Sequence, residues 1–284
     1  MSLYEEARYW LEELGVRPSK RLGQNFLIEA FVRDKIISFA RVIQDEVILE
    51  VGPGLGVLTK ELQKKTNALY VVEFDKRLFE KLKENDFGLL KERVMHSDIL
   101  QFDIESFLKS ASPSKRIKLV SNAPYSISSD FIIWIIHNRF SFYEASLLLQ
   151  REFVERVCAK PDTKDYSSLS VFCQTFAKVE KGPSVNGAAF FPKADVESML
   201  LRILPCEELP KDITSIESFE RVVRGCFSKR RKTISNNLLA SGLASSREHA
   251  EQVLGAAGID AKARAETLSP SVFIELYKVL KVNS

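Results

Sequence analysis

The apolar positions change period along the chain. Leu3, Ala7, Trp10, Leu11 and Leu14 fall on one face of a helix over residues 3–14, and Gly15 marks its stop. A second helical pattern, with Val32, Ile36, Ile37 and Ala40, covers 31–43. From residue 47 short apolar runs of strand length recur: 47–51, 69–74, 94–96, 117–121 and 145–149. Helical patterns follow them at 58–64, 77–84, 102–108, 127–137 and 153–158. Strands alternating with helices predict an α/β fold, a mainly parallel sheet covered on both faces.

After Pro161 the texture changes. Residues 169–179 and 198–203 read as strands, and the segment between them carries Gly182, Pro183, Gly187 and Pro192. This predicts an antiparallel edge hairpin with a long loop. Residues 205–210 read as a linker, and 215–280 are helical in pattern. There Phe219, Val222, Val223, Cys226 and Phe227 form one stripe. The expected organisation is a domain over 1–205, with a distinct N-terminal segment over 1–30, and a small helical domain over 206–284.

Composition narrows the function classes. The 284 residues hold 45% hydrophobic residues, enough for a sizeable core, and a net charge of +3 that does not by itself demand a nucleic acid. Cys158, Cys173, Cys206 and Cys226 are far apart and His96, His137 and His249 are scattered. Neither a disulfide framework nor a metal site is expected. The longest apolar run, 131–136, is too short to span a bilayer, and no signal peptide is read at the start. A cytoplasmic protein is expected.

The central chemical signal is Glu50-Val51-Gly52-Pro53-Gly54-Leu55-Gly56, between the first strand and its helix. In an open α/β sheet such a turn lies at the carboxyl end of a strand, where ligands bind. The spacing is G-x-G-x-G and no Lys-Ser/Thr follows, which disfavours a P-loop. Pro53 offers no N–H to a phosphate, and Glu50 repels one. Both suit a cationic, phosphate-free ligand such as S-adenosylmethionine. Glu73 ends the next strand, where an acidic partner for ribose hydroxyls is expected. The alternative is an ordinary glycine-rich loop.

The fourth strand ends in Asn122-Ala123-Pro124-Tyr125. An amide, a proline and an aromatic ring suit a flat neutral substrate such as a nucleobase. The Asn122 side-chain oxygen and a backbone carbonyl near Ala123–Pro124 are placed to accept from an exocyclic amine. Pro124 fixes the backbone and Tyr125 offers a stacking face worth roughly 1–3 kcal/mol. The alternative is an Asn-x-Pro turn with a buried tyrosine. Asp98, a third acid at a strand end, reads either as an acceptor for a cofactor's adenine amine or as a helix N-cap. Phe190-Phe191-Pro192 brings a second aromatic that can sandwich a flipped base, or simply packs under a loop. Gln24-Asn25-Phe26-Leu27 reads either as part of a solvated linker or, since it mixes amides with large apolar groups, as a segment folding over a ligand. Lys229-Arg230-Arg231-Lys232 is the strong basic cluster, read either as a solvated face or as phosphate-contacting, with Arg17, Lys20 and Arg21 adding to it.

These motifs together resemble the ribosomal small-subunit RNA adenine dimethyltransferases. The resemblance runs from about Lys20 to the C-terminus. It includes Gly23–Leu27, Glu50–Thr59, Glu73, Asp98, Asn122–Tyr125, Leu149–Glu152, Asp165–Ser170, Phe190–Pro192 and Phe227–Thr233. It implies a class I (Rossmann-like) methyltransferase core, with a seven-stranded sheet, plus a small all-α C-terminal domain. It implies N6,N6-dimethylation of two adjacent adenines near the 3′ end of 16S rRNA in the assembling small ribosomal subunit, by a monomer. Carried over by position, Asn25, Leu27, Gly52, Glu73, Asp98 and Asn122 would contact S-adenosylmethionine, and the reading of the glycine turn adds Glu50 and Gly54. Asn122, Pro124, Tyr125 and Phe190 would hold the adenine, and Lys229, Arg230, Arg231 and Lys232 would contact the RNA. The chain departs from the family at Ala123, usually leucine, and at Ala194, usually a second proline. The first is expected to leave activity intact and the second to give a less rigid loop.

The nearest rival is a macrolide-resistance type methyltransferase acting on large-subunit rRNA; the 227–233 cluster favours the small-subunit family. A non-catalytic nucleic-acid-binding factor on the same fold is disfavoured because Glu73, Asn122, Pro124 and Tyr125 are all present. A nicotinamide dehydrogenase is disfavoured by Pro53 and the glycine spacing.

Overall fold

The computed structural model describes residues 1–19, 23–84, 89–111 and 116–280. In chain order its strands are β1 (Phe26–Leu27), β2 (Val47–Val51), β3 (Ala68–Glu73), β4 (Val94–His96), β5 (Ile117–Asn122), β6 (Phe142–Gln150), β7 (Ala177–Val185), β8 (Phe190–Phe191) and β9 (Ser198–Pro205). Seven of them form one sheet in the order β4-β3-β2-β5-β6-β9-β7. The pairs β2/β3, β3/β4, β2/β5 and β5/β6 are parallel, while β9 runs antiparallel to β6. The short strands β1 and β8 pair apart from it, with Leu27 opposite Phe190 and Phe26 opposite Phe191.

The helices that cover the sheet are α1 (Leu3–Glu13), α2 (Ala30–Ala40), α3 (Val57–Gln63), α4 (Lys76–Lys83), α5 (Ile104–Ala111) and α6 (Ser128–His137). Adjacent strand residues point to opposite faces, and Ile48 and Leu49 are both fully buried, so both faces of β2 are covered. On one face Val32, Ile36 and Ile37 of α2 and Leu58 and Leu62 of α3 join Ile48, Leu69, Val71, Val120 and Leu148 in one core. Helix α1 has a capping box between Ser2 and Glu5. It buries Ala7 and Leu11 against Phe26, Leu55 and Leu78. An ion pair from Lys60 to Glu6 and the Lys81 ammonium, 3.2 Å from the centre of the Trp10 ring, fix it further.

The chain divides into two compact units, Met1–Val154 with Glu180–Pro205, and Glu155–Val179 with Cys206–Ser284. Residues 155–179, expected within the first domain, therefore group with the C-terminal helices. Their elements are α7 (Arg151–Val157), which begins in the first unit, and α8 (Ser168–Phe176). The later helices are α9 (Ile216–Cys226), α10 (Ile234–Ala240), α11 (Arg247–Ala256) and α12 (Pro270–Leu280). Edge-on contacts from Phe172 to Phe176, Phe176 to Phe219 and Phe219 to Tyr277 tie α8, α9 and α12 together.

That packing corrects one expectation. Residues 169–179 read as a strand, but α8 is a helix opened by a capping box between Ser167 and Ser170. It is buried on nearly every side, at Ser170, Val171, Phe172, Cys173, Thr175 and Phe176, so no polar stripe exposes its helical period. The strand starts only at Ala177 and runs through Gly182 and Pro183, which the sequence places in a loop. β7 is the edge of the sheet, where proline and mixed exposure are tolerated. Among the described residues no helix is long and apolar enough to cross a membrane.

Candidate functional site

The chain leaves β2 for β3 and β4 on one side and returns for β5 on the other, so the carboxyl ends of β2 and β5 flank a switch of direction. A crevice opens at such a point. Here one cavity is lined by Asn25, Leu27, Glu50, Gly52, Gly54, Glu73, Asn122, Pro124 and Tyr125 among others. An adjoining cavity of about 340 Å³ continues past Glu73, Phe74, Asp98 and Ile99. Gly52 and Gly54 take φ of +66° and +58°, conformations open to glycine and strained for other residues.

Two carboxylates meet at this crevice. Glu73 is 6% exposed; its Oε2 accepts from the Gly54 N–H at 3.0 Å and its Oε1 from the Phe74 and Asp75 N–H groups at 2.8 Å each. Burial nonetheless leaves its carboxyl above the usual range, because those three bonds offset only part of the desolvation. Glu50 is 1% exposed and its Oε2 accepts from the Thr59 hydroxyl at 2.7 Å. Burial pushes Glu50 up to about 8; the Thr59 bond works against the rise and the charge of Glu73 adds to it. Two buried acids held short of easy ionisation in one crevice mark it as a candidate ligand site. Asp98 caps a single helical turn over Ile99–Gln101 through Oδ1 and Leu100 N–H at 3.0 Å, while it also lines the larger cavity.

Opposite the carboxylates stands the end of β5. The Asn122 amide donates from Nδ2 to the Asn25 carbonyl at 3.4 Å, which turns Oδ1 toward other partners. Pro124 has φ −59° and begins the turn over Tyr125–Ile127. The Tyr125 hydroxyl lies 2.5 Å from Ser198 Oγ, and burial raises its pKa above the usual phenol range.

A family model described as "Ribosomal RNA adenine dimethylase" matches residues 16–281. The chain belongs to that family. It is 36% identical over 266 residues to the ribosomal RNA small subunit methyltransferase A of Geobacter metallireducens, covering 94% of this chain and 96% of that one. It is 35% identical over 274 residues to the protein of that name from Anoxybacillus flavithermus, covering 95% and 92%. Among solved structures, a dimethyladenosine transferase from Plasmodium falciparum shares the fold with a TM-score of 0.72, at 24% identity over 88% of this chain and 95% of that one. The 23S rRNA methyltransferase ErmE gives 0.63, at 25% identity over 91% and 100%.

In this dimethylase-family chain the predicted residues fall into three groups. Asn25, Leu27, Glu50, Gly52, Gly54, Glu73, Asn122, Pro124 and Tyr125 line one cavity, and Asp98 lines its neighbour. Phe190 does not line either: it is 1% exposed, paired with Leu27 in the β1/β8 ribbon and packed in the core with Ala189 and Ala194. The basic cluster lies in the second unit. Lys229, Arg230, Arg231 and Lys232 are all exposed in the turn between α9 and α10, where Arg230 donates to the Lys164 carbonyl and pairs with Glu266 at 3.5 Å. Lys20 and Arg21 lie outside the described residues.

Further residues support the site, and of these Phe74 and Asn237 carry no role in the sequence reading. Phe74, 56% exposed at the rim of the larger cavity, offers a flat apolar face beside Glu73; its place after the strand-ending acid was the available signal. Gly23 packs so tightly that a Cβ there would lie 2.9 Å from the Tyr125 and Ser126 nitrogens. Gln24 donates to Asp75 Oδ2 at 3.3 Å, tying the N-terminal segment to the turn after β3. Buried Asn237 organises the basic turn. It donates to the Cys226 and Lys229 carbonyls at 2.6 and 3.3 Å, and accepts from the Ser228 hydroxyl and the Lys229 N–H at 3.2 and 3.1 Å. A buried asparagine inside a helical stripe carries no local mark of that role.

Proposed function

We propose that this protein is an S-adenosylmethionine-dependent enzyme that dimethylates N6 of two adjacent adenines near the 3′ end of 16S rRNA in the assembling small ribosomal subunit, acting as a cytoplasmic monomer. The observation that carries this reading is the meeting of Asn122–Tyr125 with the Glu73–Gly54 cradle in one crevice. The names of the bacterial relatives support the choice of the small subunit.

The residues present fit the cofactor. Glu73 has a carboxylate suited to ribose hydroxyls, Glu50 a buried acid suited to a positive charge, and Phe74 and Asp98 an apolar face and an acceptor suited to an adenine. Asn25, Leu27, Gly52 and Gly54 shape the walls. When bound, S-adenosylmethionine supplies an electrophilic methyl group.

The chain's own work is to present the acceptor amine. The adenine amine is a weak nucleophile because its lone pair is delocalised into the ring. Asn122 Oδ1 accepts one of its N–H bonds. Pro124 O is engaged by Ile127 N–H at 3.3 Å, which leaves the Ala123 carbonyl as the acceptor we assign to the other. Two such bonds favour a pyramidal nitrogen with its lone pair exposed. Tyr125 stacks on the base, and Phe190 acts from behind, paired with Leu27 in the core cluster against which Tyr125 packs. No strong base is required, since the methylated amine is acidic. The contribution is positioning for in-line transfer. The exposed Lys229, Arg231 and Lys232, with Arg230, contact RNA phosphates.

Incubation with small subunits lacking these methyl groups, followed by nucleoside mass analysis, tests the reading. Dimethyladenosine is expected; cofactor binding without any methylated adenosine contradicts it.

A further inference from the structure

We infer that Ser198 is a positioning residue for the substrate base, holding the Tyr125 ring in its stacking plane through the hydroxyl–hydroxyl contact at 2.5 Å. The inference rests on the function proposed above. Ser198 is fully buried at the start of β9, with Gln150 of β6 opposite it, so its hydroxyl is fixed by the sheet. Tyr125, in contrast, sits in a single helical turn after Pro124, outside the regular ladder. A stacking face on such a turn needs its tilt set from elsewhere, and the phenol oxygen at the far end of the ring is the most effective lever.

The same stretch of chain couples Tyr125 to Phe190. Between Phe190 and Ser198 the backbone folds back: the Ala194 N–H donates to the Gly187 carbonyl at 3.1 Å, and a Cβ on Gly187 would lie 2.2 Å from the Ala194 carbonyl. This closure uses an N–H that a proline at 194 lacks, so Ala194 supplies by a hydrogen bond some of the order expected to be missing. The segment then enters β9 at Ser198. Phe190 therefore packs against one part of Tyr125's surroundings while Ser198 holds its hydroxyl. Burial raises the Tyr125 phenol above its already high usual range, so the contact is a hydrogen bond between two neutral hydroxyls.

The test compares Ser198→Ala, Tyr125→Phe, their double variant and Ser198→Thr in the full-length protein, on under-methylated small subunits with S-adenosylmethionine. Ser198→Ala is expected to lower kcat about tenfold while KM for the subunit and cofactor Kd stay within about twofold. Tyr125→Phe, which keeps the ring, should show the same loss. The double variant should be no worse than either, because both remove the same hydrogen bond. Ser198→Thr should recover most of the rate. Unchanged kcat in Ser198→Ala or in Tyr125→Phe, or losses that multiply to about a hundredfold in the double variant, would overturn the inference. If Ser198→Ala does not fold, Tyr125→Phe alone decides. Inactivity of the wild-type protein on this substrate would instead refute the proposed function itself.

Discussion

Gly54 donates its backbone N–H to Glu73 Oε2 across 3.0 Å, joining the glycine turn after β2 to the acidic end of β3. One carboxylate thus shapes the turn and faces the cavity. Glu73→Ala is expected to weaken S-adenosylmethionine binding at least about tenfold, since hydrogen bonds to a charged group are worth about 1.5–3 kcal/mol. Calorimetric titration of the variant measures this. An unchanged Kd would show that Glu73 holds only the turn.

Glu50 sets a pH dependence whose sign can be stated. Its folded-state pKa is raised from 4.5 to about 8, so between those values the folded protein holds a proton that the unfolded chain has lost. Stability attributable to Glu50 is therefore present at low pH and declines as pH rises through that window. Glu50→Gln keeps an acceptor for Thr59 and removes the titration. It should raise Tm in the unliganded protein, by more at pH 8 than at pH 5, while weakening cofactor binding. A Tm gain independent of pH would contradict the assignment.

Asn122→Ala should keep cofactor binding largely intact, with a loss far smaller than the fall in methyl transfer of about a hundredfold or more, the scale seen when a positioned polar contact to the reacting group is removed. Single-turnover methylation alongside a cofactor titration separates the two effects. Undiminished turnover would refute the assigned role.

Asn237→Leu should disorder the basic turn, because four hydrogen bonds to Cys226, Ser228 and Lys229 vanish together. Subunit affinity should fall with cofactor affinity intact, and stability should drop by about 1–3 kcal/mol or more. Lys229→Ala with Lys232→Ala should instead leave stability alone and flatten the salt dependence of RNA binding, by roughly one unit of log–log slope for each phosphate no longer neutralised. Filter binding across salt concentrations distinguishes these outcomes.

Local signals exposed most of the sheet and the crevice. The glycine turn, Glu73 and the end of β5 sit where a strand changes into a turn, and each carries residues with a chemical reason to be there. Asn25 and Leu27 were accessible through the same mixture of amide and apolar groups. The missing parts depend on contacts distant in sequence. Helix α8 hides its period because it is buried all round. Phe190 is drawn into the core by Leu27, 163 positions earlier in the chain. Ser198 and Asn237 matter through single hydrogen bonds or short networks, to residues no local pattern connects to them.

The most direct measurement of the central claim is methyl transfer from radiolabelled S-adenosylmethionine to small and large ribosomal subunits offered separately, each lacking its native methylations, with the product identified by nucleoside mass. Dimethyladenosine is expected in small-subunit RNA alone. Label in the large subunit, or none in either while the cofactor binds, would contradict the claim.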